Sequence, residues 1–368
     1  MPTVFFAFRD APERRAALRE PNSLDRYRLF GLDEVAAHGA RVDHNLQPSG
    51  TPTWARLAGR VVNARVGLGG DIATVLPSLG RMRSADVVFS TVDTVGIPLL
   101  LLRRAQLIRV PLVYASIGLP ERLERLAAGG SFRRTLQQAH TVVTYSAVEA
   151  EWLRSWIAGA SPPVVFVPFG VDVDAFRPQP KRKSSVDVLS VGADPQRDFE
   201  LLLTLAARHP NLTFRIVATS ERLRALGVVP PNVSVETDVP LETVRERFAE
   251  ARVVALPVRA NSYSGATTTL LQAMAMGKPV IVSRTAAIAE GYELEDGSNC
   301  RLVEPGDADG FERVLLQTLT GADAAVSLGI RARETVERSF SWRRYTEALW
   351  EILSAAASGV PSLPRPSG

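Results

Sequence analysis

The chain has 368 residues, 46% hydrophobic and 22% charged, a composition that suits a globular protein of about two domains with sizeable cores. A formal net charge of +4, with a pI near 9.5, fits phosphate-bearing ligands or an acidic surface and does not demand nucleic acid. The one cysteine, Cys300, excludes an intramolecular disulfide and a cysteine-rich metal site. The opening MPTVFFAFRD has no charged segment leading into an apolar core, so no signal peptide is expected. The apolar run 95–102 is far too short to span a bilayer. A cytoplasmic location is expected.

Residues 3–8 predict a first strand and 9–26 a long, charge-rich loop. A helix is expected over 27–38, ended by Gly39, then a strand over 40–46 and a helix over 53–68. Buried strands follow at 86–90, 110–116, 141–146 and 164–168. Between them lie helices at 99–108, at 121–138 with a break at Gly129 and Gly130, and at 147–156. The polar, basic stretch RPQPKRKSS, 177–185, reads as a linker. The alternation then restarts, with strands at 186–191, 212–217 and 233–237 and helices at 199–208 and 241–249.

The stretch 252–283 is the most informative. Its apolar run 253–258 predicts a buried strand, 259–262 a polar loop and 267–276 a helix. Gly277 stops that helix, and Pro279 can open the next strand without its N–H. Helices are expected at 311–319, 324–339 and 341–354. Repeated strand–helix alternation predicts the α/β class, as two Rossmann-like doubly wound domains facing across a cleft. The expected boundaries are 1–178 and 179–340, then a helix 341–356 crossing back to the first domain and a disordered tail 357–368.

A helix start leaves N–H groups unpaired and carries partial positive charge. Ser264, Gly265, Ala266 and Thr267 are small, so an anion can approach that backbone, and Thr267, Thr268 and Thr269 add hydroxyls. By itself the stretch fits a phosphate-binding helix start and an ordinary Ser/Thr-capped helix equally well. Asp172/Asp174 and Asp307/Asp309 have metal-site spacing, but the first pair lies in the interdomain segment and the second at a helix start, where Asp is expected as a cap, so no metal site is expected. His38, His44, His140 and His209 are dispersed surface or loop residues, and Cys300 reads as a small buried hydrophobe. The helix 97–109, with basic helices near Arg122 and Arg133, reads as core-facing; the alternative is a weak peripheral contact with an anionic membrane through the N-terminal half.

Five segments in order resemble the retaining glycosyltransferases of family 4, which have the GT-B fold. They are VPFGVDVDAF (167–176), SVGADPQRDF (190–199), LLQAMAMGKPVIVS (270–283), AEGYELEDGSNCRLVEPGD (289–307) and SFSWRRY (339–345). The resemblance is good over 142–349 and only outlines 3–140. It implies an N-terminal acceptor domain and a C-terminal donor domain. The implied reaction moves a sugar from a nucleotide diphosphate sugar, UDP- or GDP-linked, to a hydroxyl acceptor with retention. It uses no metal and no cofactor beyond that co-substrate. Acceptors in view are a natural-product aglycone, a lipid-linked saccharide or a polysaccharide.

Carried over by position, the donor residues are Gly192, Arg197, Val239, Gly265, Ala266, Thr267, Thr268, Ser264 and Gln272. Arg197 would stabilise the diphosphate leaving group bidentately. Ser264 joins Arg197 in the catalytic set, as a contact to the sugar. Acceptor contacts are placed at Arg9, Asp93 and Gly118. Two family glutamates, eight positions apart, are replaced by Ser264 and Gln272, and a family histidine by Ile117. The family's N-terminal Gly-Gly loop is missing, which hands 9–26 a different acceptor role. Competing readings are a nucleotide-sugar epimerase or hydrolase and a non-catalytic nucleotide-sugar-binding subunit.

Overall fold

Short β-branched runs and amphipathic helices alternate to build two parallel sheets. A computed structural model of the chain describes residues 1–360 apart from 21–22, 48–49, 67–69, 127–128, 158–160, 225 and 262–264. Most of the expected tail, 361–368, lies outside the described residues. The chain divides into two units, Met1–Val167 with Tyr345–Gly368, and Pro168–Arg344.

The first unit holds β1 (Thr3–Ala7), β2 (Arg41–His44), β3 (Val87–Ser90), β4 (Leu112–Ser116), β5 (Thr141–Thr144) and β6 (Val164–Phe166). Their order across the sheet is β2-β1-β3-β4-β5-β6, all parallel. Every residue of β3, β4 and β5 is buried, as expected where helices cover both faces. Val88, Leu100, Leu112, Tyr114, Val142 and Leu153 lie in this core.

The second unit holds β7 (Val186–Val191), β8 (Phe214–Ala218), β9 (Val233–Thr237), β10 (Ala251–Leu256), β11 (Val280–Ser283) and β12 (Arg301–Val303). Their order is β12-β11-β10-β7-β8-β9, again all parallel. Numbered from β7, this is the doubly wound order 3-2-1-4-5-6. Phe199, Leu202, Phe214, Val253, Ile281 and Leu315 fill its core.

The region 9–26 is not the loop that its charge suggested. It forms a helix, Pro12–Arg19, and enters a 3-10 helix, Ser23–Leu29. Proline at the helix start costs no N–H there, and Arg and Ala are good helix formers. Ala17, Leu24 and Leu29 turn inward and are buried. The helix expected over 27–38 is interrupted, because Phe30 and Gly31 take left-handed backbone (φ 52° and 90°), and it restarts as Leu32–Ala37. The last helix, Trp342–Ala357, explains the break. A β-carbon at Gly31 would lie 3.2 Å from Thr346 Cγ2 and 3.3 Å from Leu349 Cδ2.

The helix Asp93–Arg104 faces the core, with Val95, Leu99, Leu100 and Leu102 buried. Its arginines bind within the unit: Arg103 Nε donates to the Gln138 carbonyl at 2.7 Å and Arg104 Nη1 to Thr135 Oγ1 at 2.9 Å. Among the described residues no helix is long and apolar enough to cross a membrane.

Candidate functional site

In a doubly wound sheet the crevice for ligands opens where the strand order reverses, at the C-terminal strand ends. In the second unit that point lies between β7 and β10. Gly192 directly follows β7, and the turn 194–197 closes with Arg197 N donating to the Asp194 carbonyl at 3.1 Å. This loop is tied to the loop after β10. Asp198 N donates to the Pro257 carbonyl at 3.0 Å, Arg259 N donates to the Gln196 carbonyl at 2.8 Å, and Arg197 and Val258 form an antiparallel bridge. Arg222 adds bonds to the carbonyls of Pro195 (2.8 Å) and Arg197 (3.3 Å). Asp198 then caps the helix Phe199–Arg208, accepting from Leu201 N at 3.2 Å.

Arg197 is 1% exposed, an extreme value for an arginine. Its guanidinium lies over Gly192, where a β-carbon would meet Nε at 2.4 Å and Cζ and Nη2 at 3.0 Å. The glycine is therefore required sterically by the arginine. The sequence placed both residues in one site, and the structure brings them into contact.

The strand–loop–helix unit after β10 forms as expected. The helix is Thr267–Ala275, and its N-cap is Ala266, with no side-chain cap bond. Gly265 and Thr268 are partly exposed, while Ala266, Thr267 and Gln272 are buried. Gln272 lies one helical turn beyond Thr268, on the same face. Thr267 lies beside the phenol of Tyr292, whose hydroxyl accepts from Phe169 N at 3.2 Å; burial pushes the Tyr292 pKa far up. Ser264 lies outside the described residues. Val239 follows β9, two strands from β7; it is half-buried, after Asp238 in left-handed backbone.

One aspartate of each pair serves the backbone, and Asp309 accepts from Arg208 Nη1 at 3.3 Å. Asp172 Oδ1 accepts from Asp174 N (3.1 Å) and Ala175 N (2.9 Å), and Asp307 caps the helix Ala308–Thr320 by accepting from Gly310 N at 2.8 Å. Among the described residues no group of three His, Cys, Asp or Glu could hold a metal. Cys300 is fully buried, and its thiol is pushed up to about 12, chiefly by burial.

In the first unit the strand order reverses between β1 and β3, and the three residues expected to meet an acceptor separate into two places. Arg9 is exposed and follows β1. Asp93 and Gly118 belong to a buried network after β3 and β4. Asp93, 3% exposed, accepts from the Tyr114 hydroxyl and from Ile117 N at 3.1 Å. Tyr114 reaches it because a glycine, Gly96, leaves room: a β-carbon there would lie 2.3 Å from the Tyr114 ring. Gly118 has φ 76° and donates to Glu149 Oε2 at 3.2 Å. Glu149 Oε1 also accepts from Ser116 Oγ (2.6 Å) and Leu119 N (3.2 Å). Burial, and then the charge of Glu149, raises Asp93 to about 7; burial also raises Glu149.

Sequence reasoning missed Glu149. A signal was present: Ser146-x-x-Glu149 is a capping box at the start of the helix Ala147–Ile157, and Glu149 N does donate to Ser146 Oγ at 3.3 Å. The pattern gives no hint that the carboxylate turns to the 116–119 loop.

Residues 173–321, within the second unit, match the model of the family described as Glycosyl transferases group 1. An MMP alpha-(1->4)-mannosyltransferase of Mycolicibacterium hassiacum is 26% identical over 279 residues, covering 72% of this chain and 65% of that protein. The chain spans between about half and two thirds of the length of the curated relatives it matches. Sucrose-phosphate synthase from Thermosynechococcus elongatus superposes with a TM-score of 0.76 at 16% identity, over 98% of this chain and 100% of that one. Anabaena HepE in complex with UDP-glucose gives 0.71 at 16% identity, over 96% and 100%. Two doubly wound six-stranded units that match these structures along nearly their whole length give the chain the GT-B fold, and its second unit carries the segment shared with the group 1 glycosyl transferases.

Proposed function

We propose that the protein is a glycosyltransferase of the retaining, family 4 type. It moves a sugar from a nucleotide diphosphate sugar, UDP- or GDP-linked, to a hydroxyl acceptor. The second unit binds the donor and the first the acceptor. The observation that carries this reading is Arg197, buried on Gly192 at the β7/β10 reversal point, inside the segment matched by the family model.

A leaving diphosphate gains negative charge as the glycosidic bond breaks. A buried guanidinium and a helix start are the groups that stabilise such charge. Arg197 and the N–H groups at Gly265–Thr268 take that role, Ser264 contacts the sugar, and Gln272 accepts from the ribose hydroxyls. Val239 lies by the nucleoside. The loop 257–266 contains no carboxylate, which fits a reaction in which the donor's own phosphate oxygen takes the acceptor proton. The transfer proceeds without a metal, in keeping with the engagement of Asp172 and Asp307 in backbone bonds.

The test is calorimetric titration with UDP, GDP, TDP and ADP, with and without a divalent cation. Micromolar binding of one diphosphate, unchanged by the cation, is expected, followed by slow hydrolysis of the matching nucleotide sugar with the anomeric configuration kept. Absence of binding by all four would remove the donor site.

A further inference from the structure

Six arginines fall between positions 9 and 28, around the end of β1. Three of them have carboxylate partners. Arg15 pairs with Asp10, Arg28 Nε is 2.5 Å from Asp25, and Arg26 is 3.7 Å from Glu34. Arg19 is exposed and donates to the Arg15 carbonyl at 3.3 Å. Arg9 and Arg14 have no carboxylate ion-pair partner among the described residues.

These two are neighbours. Arg14 Nη1 donates to the Arg9 carbonyl at 2.8 Å, and the Arg14 guanidinium lies over the Phe30 ring, 5.6 Å from its centroid. Arg14 is partly buried, and its pKa is lowered by burial, then by repulsion from Arg9 and from Arg28. Like charges gathered in a partly desolvated place cost free energy until an anion joins them. Two carboxylates act on the pair from farther off, Glu13 on Arg14 and Asp71 beside Arg9, and neither forms an ion pair with it. Tyr27 also faces Arg14, and burial raises its pKa, so its phenol is neutral at pH 7. The cluster follows β1 at the strand-order reversal of its sheet, the general location of ligand sites in such folds.

We propose that Arg9 and Arg14 form an oxyanion-binding site and that the acceptor is an anionic saccharide, held there by a phosphate or carboxylate group. Two planar guanidiniums match the oxygens of either group. Phe30 gives the Arg14 guanidinium a fixed floor. Naming the occupant as the acceptor rests on the glycosyltransferase reading, whereas the anion site itself does not.

The test uses the full chain saturated with the nucleoside diphosphate that it binds, so that the donor site is filled. Inorganic phosphate and glucuronate are titrated separately into wild type, R9Q/R14Q and R197Q. Wild type should bind at least one of the two anions. R9Q/R14Q should bind it at least tenfold more weakly, with nucleoside diphosphate affinity within twofold of wild type. R197Q should lose nucleoside diphosphate affinity and keep the anion. The anion preferred tells phosphate from carboxylate. Equal anion affinity in wild type and R9Q/R14Q, or none in wild type, overturns the site. If the double variant does not fold, R9Q, at an exposed position, must still weaken the anion; unchanged affinity there also overturns it. Loss of the nucleoside diphosphate arm alone sinks the transferase reading and leaves the anion site standing.

Discussion

A β-carbon at Gly192 would lie 2.4 Å from Nε of Arg197, closer than real contacts of that kind come. The missing methyl group at 192 is what lets the guanidinium settle at the end of β7. Gly192→Ala should therefore expel the arginine without altering it chemically. Arg197→Ala should weaken nucleoside diphosphate binding by about 1.5–3 kcal/mol, the range of a charge-assisted bond. Gly192→Ala should lose most of the same amount. The double variant should lose scarcely more than the worse single one, because both remove one interaction. Calorimetry on the four proteins gives the cycle; additive losses would separate the two residues.

Asp93 makes stability depend on pH. Its carboxyl is raised from 3.8 to about 7, so between those values the folded chain holds more protons than the unfolded one. Stability then falls as pH rises through that window, by on the order of a few kcal/mol. Asp93→Asn should flatten this part of the profile and melt higher than wild type at pH 8. Thermal melts from pH 4 to 8 read it directly, and parallel curves for the two proteins would contradict the buried, proton-holding carboxyl.

Glu149 organises a loop rather than its own helix start. Removing it strands the Ser116 hydroxyl and the N–H groups of Gly118 and Leu119. Glu149→Ala should cost about 3 kcal/mol in urea unfolding, the upper end for lost buried bonds to a charged group. Glu149→Gln keeps one acceptor oxygen and should cost about half as much. A loss below about 0.5 kcal/mol for the alanine variant would mean that the loop keeps its shape without the carboxylate.

Gln272 stands where the resemblance to family 4 implies a glutamate, and it is 5% exposed. Gln272→Glu places a charge in a dry site and should lower stability by about 1–3 kcal/mol in the free protein. If the side chain faces ribose hydroxyls, a bound nucleotide should recover much of that loss. A melting temperature that nucleotide does not raise in the variant would put Gln272 in the core instead.

The features carried by local pattern were legible in the sequence. The helix 199–208 was bounded as it forms, because Asp198 caps it and an apolar stripe follows at helical spacing. The same holds for the helix that begins near Thr267 and stops at Gly277, where φ is 67°. Features set by distant partners were hidden. Charge in 9–26 suggested a loop, yet a few inward residues, Ala17 and Leu24 among them, suffice to dock helical turns there. Glu149 was missed, since its actual partners lie about thirty positions away. The contact between Gly192 and Arg197 was approachable because they are five residues apart, but the pairing of their loop with 257–259 depends on strand order, which no local pattern reports.

The left-handed break at Phe30 and Gly31 receives the last helix, and so do other parts of the first unit: Trp350 stacks on His38 at 5.5 Å, and Tyr345, Leu349 and Leu353 are buried. The first unit is thus made from both ends of the chain, while the second is one uninterrupted stretch. Dissection of the protein is therefore asymmetric. A fragment 168–344 retains every strand of its sheet and is a fair candidate for independent expression. Cutting after 167 also keeps every strand of its sheet but lays an apolar seam open, which is closed again by supplying the final helix in trans or by grafting it through a short connector.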